Sequence, residues 1–328
     1  DLVDIEIWCK KYGIIEDWYQ KIDKKISIAE DMPRINSYKK FWINIFEILK
    51  YFFNFRKSNN FRKKLVSISA NFDIIHLNHY SLAHLAFWLK PKINCKIVMH
   101  GRVMLPNNFF SKLQCKMISR GVDKLVFITE NERENFKKLG CQIEGSVIYN
   151  ICEPPRKEIK THVKLINENR FKVLCIGNYS YERGMDRLIE VAKDLKSRKV
   201  NNIVFLIVGE TKIVSFLKNK INKIYSFQDL VKKHDLESFF IFFGHTINPE
   251  NILASSDILI RPSRKNDPWG RDVIEAMTYE IPILACGVYQ NFIEHNLNGF
   301  LYPKFNVTQI SDDVIKLMNN RELKKLLG

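Results

Sequence analysis

Two consecutive α/β domains, each a Rossmann-like parallel sheet flanked by helices, are what this sequence predicts. Three observations carry the prediction. Apolar runs of strand length alternate with helical stretches, as parallel strands joined by crossover helices require. The alternation is interrupted once, by a polar, basic stretch from Ile151 to Asn169 that contains the adjacent prolines Pro154 and Pro155, and then restarts. At 328 residues the chain is long enough for two domains with sizeable cores. The expected division is an amino-terminal domain over 1–150, a linker over 151–168 and a carboxy-terminal domain over 169–328.

The elements follow in order. Asp1 to Trp8 reads as a strand, with no initiator Met before it, so a trimmed start is expected. Phe72–Leu77 reads as a buried strand followed by a helix from Ser81 to Leu89. Cys95–Gly101 is a second strand, ending in His100-Gly101, and Phe110–Ser119 is helical. Lys124–Ile128 is a third strand. Thr129 is placed to cap the helix Asn131–Leu139, with Gly140 at its far end. Ser146–Asn150 closes the first half. In the second half, strands are expected at Phe171–Gly177, Ile203–Gly209, Phe239–Gly244, Asp257–Ile260 and Ile281–Ala285. Helices are expected at Asp186–Lys196, Phe227–Lys233 and Asn251–Ser255. The last eight residues stop inside a helical pattern, so the carboxyl end also reads as clipped.

Charge narrows the function classes. The formal net charge is +16, and by halves residues 1–163 carry +11 and the remainder +5. Such a balance suits nucleic acid, an anionic membrane surface or phosphorylated substrates. No zinc-finger spacing, RNP-like motif or basic zipper is present, so nucleic acid is not expected as a partner. The seven cysteines are scattered, odd in number and form no C-x-x-C, which fits reduced cytosolic thiols. No apolar run reaches the ~18–20 residues of a membrane span, and no signal peptide is visible.

The most informative stretch runs from Asn266 to Met277. It leaves the strand Asp257–Ile260 through Arg261-Pro262-Ser263, carries Asp267-Pro268-Trp269-Gly270, and opens a helix holding Glu275-Ala276-Met277. A loop with an acid and a glycine, leading from a buried strand into a helix, lies where open α/β sheets bind ligands. A helix amino terminus offers unpaired N–H groups and partial positive charge, which suits phosphate. Asp267 and Glu275 are eight residues apart, one before the helix and one about two turns into it, so both can border one ligand.

This run resembles the acid-x7-acid signature of the retaining GT-B glycosyltransferases of family 4 (glycosyl transferases group 1). The family pattern is Pro-Ser, then Glu-x-Phe-Gly, then Glu-Ala-Met. Pro262, Ser263, Gly270, Glu275, Ala276 and Met277 match it. Asp267 stands at the first Glu and Trp269 at the Phe. Val147-Ile148-Tyr149-Asn150 and Asn298-Gly299-Phe300-Leu301 resemble two further family segments. The resemblance implies a GT-B fold, two Rossmann-like domains facing a cleft. The family's amino-terminal strand with its Gly-rich loop has no counterpart here, so part of the acceptor side is expected to be absent.

The resemblance also implies roles. Glu275 would accept hydrogen bonds from the donor ribose, a cis-diol that a carboxylate suits. Asp267 would face the transferred sugar, with a reach one CH₂ shorter than Glu. The backbone N–H groups of Trp269, Gly270 and Arg271 would line the sugar and phosphate side, where Gly270 lets the backbone approach closely. Gly177 to Arg187 resembles the family's Gly-Arg…Glu-Lys-Gly segment, whose cations hold the donor diphosphate. Asn178 replaces the Arg and Arg183 the Lys. Arg183 keeps a charge able to grip phosphate with two hydrogen bonds. Arg187 and Arg271 are candidates for the cation missing at Asn178. His100 would contact the sugar or phosphate from the first domain.

His76, His79 and His84 are close in sequence, but no Cys or acid completes a tetrahedral metal set. The chain also lacks Asp-x-Asp, which favours a metal-independent site. Tyr38–Leu65 interleaves aromatics with eight Lys/Arg against the single acid Glu47. Two readings stand: an interfacial helix on an anionic leaflet, or a core helix with charged flanks.

The function expected is metal-independent sugar transfer with retention, from a nucleotide-sugar to a glycan or lipid-linked acceptor in cell-surface polysaccharide synthesis. No cofactor is expected, and the site of action is cytoplasmic, at most peripheral on the inner face of the membrane. The alternatives are a degenerate GT-B protein that binds without turnover, or a nucleotide-sugar epimerase of the same fold.

Overall fold

The computed structural model describes residues 3–11, 25–35, 38–155, 162–165, 167–213, 225–246, 249–265 and 267–328. Asp1 and Leu2 of the first expected strand, residues 156–161 and 166 of the expected linker, Asn266 at the head of the signature run, and the side chains of Tyr38, Lys39 and Lys40 lie outside the described residues. The chain forms two compact units, Asp1–Tyr149 and Asn150–Gly328.

In the first unit, β1 (Glu6–Cys9) pairs in parallel with β2 (Lys25–Ile28). A separate parallel sheet runs in the order β3 (Ile74–Leu77), β4 (Lys96–Gly101), β5 (Lys124–Phe127) and β6 (Gly145–Val147). Ile97, Met99, Leu125 and Phe127 alternate into the core from β4 and β5. The helices Ala83–Leu89, Phe109–Gly121 and Glu130–Lys138 cover it. Asn108 and Thr129 cap the last two of these helices by accepting from Ser111 N and Asn131 N. Among the described residues, the strand expected to be buried at Phe72–Leu77 is instead at the sheet edge: Leu77 is buried while Ile74 and His76 are exposed. An edge strand has a neighbour on one side only, so its apolar residues are covered less completely.

The second unit is one six-stranded parallel sheet. Its strands are β7 (Phe171–Ile176), β8 (Ile203–Val208), β11 (Phe240–Gly244), β12 (Ile258–Arg261), β13 (Ile283–Cys286) and β14 (Gly299–Tyr302). A short antiparallel pair, β9 (Lys212–Ile213) with β10 (Tyr225–Ser226), stands beside it. Every residue of β8 is buried, as its unbroken apolar run Ile-Val-Phe-Leu-Ile-Val demands of a strand covered on both faces. Apolar clusters fill both faces. Leu165, from the stretch read as linker, is buried in one of them.

The strand order is β11-β8-β7-β12-β13-β14. The chain therefore winds outward one way from β7 through β8 to β11, then returns to β12 beside β7 and winds the other way. Connections leaving the carboxyl ends of β7 and β12 diverge to opposite sides and open a crevice at that point. The loops that leave these two strands are Gly177–Asp186 and Pro262–Gly270.

Candidate active site

The two switch-point loops are laced together by arginine side chains that bond across sequence separations of 75 to 83 residues. Arg264 donates to both carboxylate oxygens of Asp186, at 2.7 and 2.6 Å, and to Tyr181 O at 2.6 Å. Arg187 donates to Pro262 O and Ser263 O at 3.0 and 2.9 Å. Arg264 N donates to Glu182 O at 2.8 Å. Nη1 of Arg187 thus ties the two loops together.

Gly177 ends β7 with φ +139°, and a Cβ there would land on Arg183 Nη1. The guanidinium of Arg183 therefore lies directly against the Gly177 backbone, an approach that only glycine permits. Asn178 points elsewhere: its Oδ1 accepts from Glu210 N at 3.0 Å and staples the ends of β7 and β8. A small pocket at the same place is lined by Cys175, Arg183, Met185, Arg261, Ser263 and Asp272, among others.

Arg261, at the end of β12, organises the signature loop. Its Nη1 donates to both oxygens of Asp272 at 2.8 and 2.7 Å, its Nε to Asp267 O at 3.0 Å, and its Nη2 to Asp267 Oδ2 at 3.3 Å. The side chains of Arg261 and Asp272 are 12% and 11% exposed. Burial works against the Arg261 charge, yet Asp272 and Asp267 outweigh it and raise its pKa. Burial raises the pKa of Asp267, partly offset by Arg261. The α-carbon of Gly270 lies against this ion pair: a Cβ there would meet Asp272 Oδ1 and Arg261 Nη1.

The remaining predicted residues separate. Trp269 is buried, its ring 5.3 Å from that of Phe292 in a stacked pair, and its Nε1–H has no partner among the described residues. Arg271 is largely exposed and bonds Glu275 one turn along the helix Arg271–Thr278, at 3.0 Å. Glu275 is pushed up by burial, with Arg271 acting the other way. So Gly177, Arg183, Asp267 and Gly270 converge with Arg261 and Asp272, while Arg271 and Glu275 form a pair on the following turn.

Arg261 and Asp272 were not among the candidates, although the sequence carries their signal. An Arg that closes the buried run Ile258-Leu259-Ile260 brings charge into the interior. An acid in the first turn of the next helix is its nearest available partner.

His100, in the first unit, ends β4. Burial, with Arg102 and His76 adding to it, lowers its pKa to about 4. His84 is a core residue, edge-on to Phe41 and beside Tyr51, at ring distances of 5.7 and 5.4 Å. Among the described residues no group of three or more His, Cys, Asp or Glu is placed to hold a metal ion.

The helix Ile45–Lys57 has no buried residue. Phe46, Phe52 and Phe53 are 77%, 68% and 67% exposed, while Ile48 and Tyr51 pack inward. Arg62, one of the eight cations of the Tyr38–Leu65 stretch, is buried. It donates to Phe55 O at 2.8 Å and Ser58 Oγ at 3.1 Å, and lies over the Phe55 and Trp88 rings. Among the described residues no helix is long and apolar enough to cross a membrane.

Comparison with known proteins gives the family and the fold. The sequence model of the glycosyl transferases group 1 family matches residues 156–328. An uncharacterized glycosyltransferase of Methanocaldococcus jannaschii is 24% identical over all of this chain and 84% of its own length. The lipopolysaccharide glucosyltransferase WaaG of Escherichia coli is 23% identical over 60% of this chain and 50% of its own length. Among solved structures, Anabaena HepE in complex with UDP and glucose superposes with a TM-score of 0.73 at 15% identity, covering 98% of this chain and 83% of that one.

Proposed function

Because the chain belongs to the glycosyl transferases group 1 family and has the GT-B fold, it is a glycosyltransferase, and we propose that it moves a sugar from a nucleotide-sugar to a glycan or lipid-linked acceptor with retained configuration and without metal. The observation that carries this reading is the convergence at the switch point. Arg183 lies on the Gly177 turn at the end of β7, beside a loop whose acid, Asp267, is held by Arg261 from β12. A cation at the carboxyl end of a parallel sheet is suited to the leaving diphosphate, which gains charge as the glycosidic bond breaks. In this reading Asp267 faces the sugar and Glu275 the ribose. His100 would contact the sugar as a neutral imidazole, since its pKa of about 4 keeps it uncharged at neutral pH. In same-face displacement the departing phosphate takes the proton of the incoming hydroxyl. No enzyme nucleophile is needed, and catalysis rests on positioning and charge.

The UDP and glucose bound to HepE and the lipopolysaccharide substrate named for WaaG make a UDP-sugar and a cell-surface, lipid-linked acceptor the first choices. The exposed Phe46, Phe52 and Phe53, with Lys50, Arg56 and Lys57 on the same helix, support docking on an anionic membrane from the cytoplasmic side.

The test is incubation of the full chain with UDP-sugars and a lipid-linked acceptor pool, followed by mass and anomer analysis of the product. Acceptor-dependent release of UDP with an α-linked product from an α-linked donor is expected. Donor conversion with no acceptor present would point to an epimerase, and an inverted product would overturn the mechanism.

A further inference from the structure

The first unit gathers two guanidiniums and three imidazoles at the carboxyl ends of β3 and β4. His76 lies on β3, and its ring centre is 5.7 Å from that of His100 on β4. Arg102 Nη2 sits 3.5 Å from His100 Nδ1. A guanidinium has no lone pair to accept with, so Nδ1 is the acceptor and the imidazole proton sits on Nε2. That Nε2–H is buried and has no acceptor among the described residues. His79 is fixed likewise: its Nδ1 accepts from Ser81 N at 3.0 Å, which leaves Nε2–H as a donor. Ser81 O accepts from Ile35 N at 2.9 Å, and this bond brings the segment carrying Arg34 alongside.

The electrostatics agree with the geometry. Desolvation of the ring, partial for the largely exposed His76, followed by the charge of Arg102, depresses the pKa of His76 and of His100. For His79 the causes are burial, then Arg34, then Arg102. All three are therefore neutral N–H donors at pH 7, surrounded by positive charge. Among the described residues neither Arg34 nor Arg102 has a carboxylate within ion-pair distance. Exposed arginines without an acid, next to imidazole donors, make a set of donors with no acceptor of their own. Such a set suits a doubly charged group with three terminal oxygens better than a carboxylate with two.

We propose that Arg34, His76, His79 and Arg102, beside His100, form an anion pocket that receives a phosphate group carried by the acceptor. The proposal rests on the transferase reading above, and it adds the acceptor's chemistry. The second unit has its own cation, Arg183, for the donor diphosphate, so the cations of the first unit are left to read a second anion.

The experiment uses the full chain with ¹⁵N-labelled histidine, its imidazole signals assigned through single His→Gln variants. Glycerol 3-phosphate is the probe and glycerol its neutral control. The expected result is a saturable shift of the His76, His79 and His100 signals with the phosphate and none with glycerol. Replacing the two exposed arginines together, Arg34→Gln with Arg102→Gln, should weaken glycerol 3-phosphate at least tenfold and leave UDP affinity unchanged. Absence of a saturable shift, or equal affinity in the double variant, overturns the pocket. Loss of UDP affinity in that variant overturns the acceptor assignment, because the cations would then serve the donor phosphates. If the unaltered protein takes up glycerol 3-phosphate at these histidines but binds no nucleotide, the pocket stands and the donor reading is the one that fails.

Discussion

Arg261→Met tests whether a buried ion pair holds the signature loop. The guanidinium makes two bonds to Asp272, at 2.8 and 2.7 Å, and one to Asp267 O at 3.0 Å. Methionine fills much of the same volume but leaves the Asp272 carboxylate, 11% exposed, without its partner. Removing one member of such a pair costs about 3–5 kcal/mol, mostly because the other charge stays buried. The second unit spans residues 150–328, a size at which about 1 kcal/mol moves Tm by roughly 2–4 °C. The expected drop is therefore on the order of 6–20 °C. It would be read by calorimetry on the full chain, with hydrogen exchange in β7 and β8 identifying the second unit's transition. Adding Asp272→Leu should restore at least half of the loss, since the stranded charge is removed. A drop below about 3 °C, or a double variant no better than the single one, would refute the reasoning.

Three further outcomes are expected. His84 and His100 have pKa values lowered to about 4 by burial. Their folded forms bind fewer protons than the unfolded chain, so their stabilisation is complete above about pH 6.5 and is lost as pH falls toward 4. Going from pH 7 to pH 5 should then destabilise the first unit by about 1–2 kcal/mol per histidine. Burial raises the pKa of Asp267 and Glu275, so the contribution of these two carboxylates has the opposite sense. Hydrogen exchange at both pH values checks this, and a first unit more stable at pH 5 would contradict it. Gly177→Ala places a Cβ on Arg183 at φ +139° and should lower nucleotide affinity about tenfold or more, read by titration calorimetry, with β7 still protected from exchange. Replacing Phe46, Phe52 and Phe53 by Ser should weaken sedimentation with anionic vesicles by about a hundredfold, taking about 1 kcal/mol for each half-inserted ring. Unchanged sedimentation would show that this face does not meet lipid.

Much of the fold was legible because parallel strands buried on both faces announce themselves. The run Ile203–Val208 is apolar throughout, Phe171–Ile176 is apolar except for Lys172, and the cap Thr129 stands one residue before its helix. What the pattern did not show was what lies beside a strand. Phe72–Leu77 has the composition of a buried strand yet sits at an edge. Candidate site residues were legible by motif, but their partners were not. Arg261 and Asp272 are eleven apart in sequence and meet only because β12 and the helix after it fold back on one another. Cations posed the same problem in reverse. Arg62 looks like one of a surface series, and only the rings of Phe55 and Trp88 show that it is interior. Asn178 departs from the cation expected there, and the structure gives it a loop-stapling bond instead.

The central claim is a nucleotide-sugar site in the second unit, and thermal stabilisation by UDP, GDP and ADP tests it most directly. A ligand that binds only the native state adds RT ln(1 + [L]/Kd), about 2.7 kcal/mol at a hundredfold excess over Kd. For a unit of this size that is a rise of roughly 5–10 °C. One nucleotide, UDP first, should produce the rise, and Glu275→Ala should abolish it while leaving the unliganded Tm nearly unchanged, since the Glu275 carboxylate bonds the largely exposed Arg271. No rise with any of the three, or a rise that survives Glu275→Ala, would contradict the account.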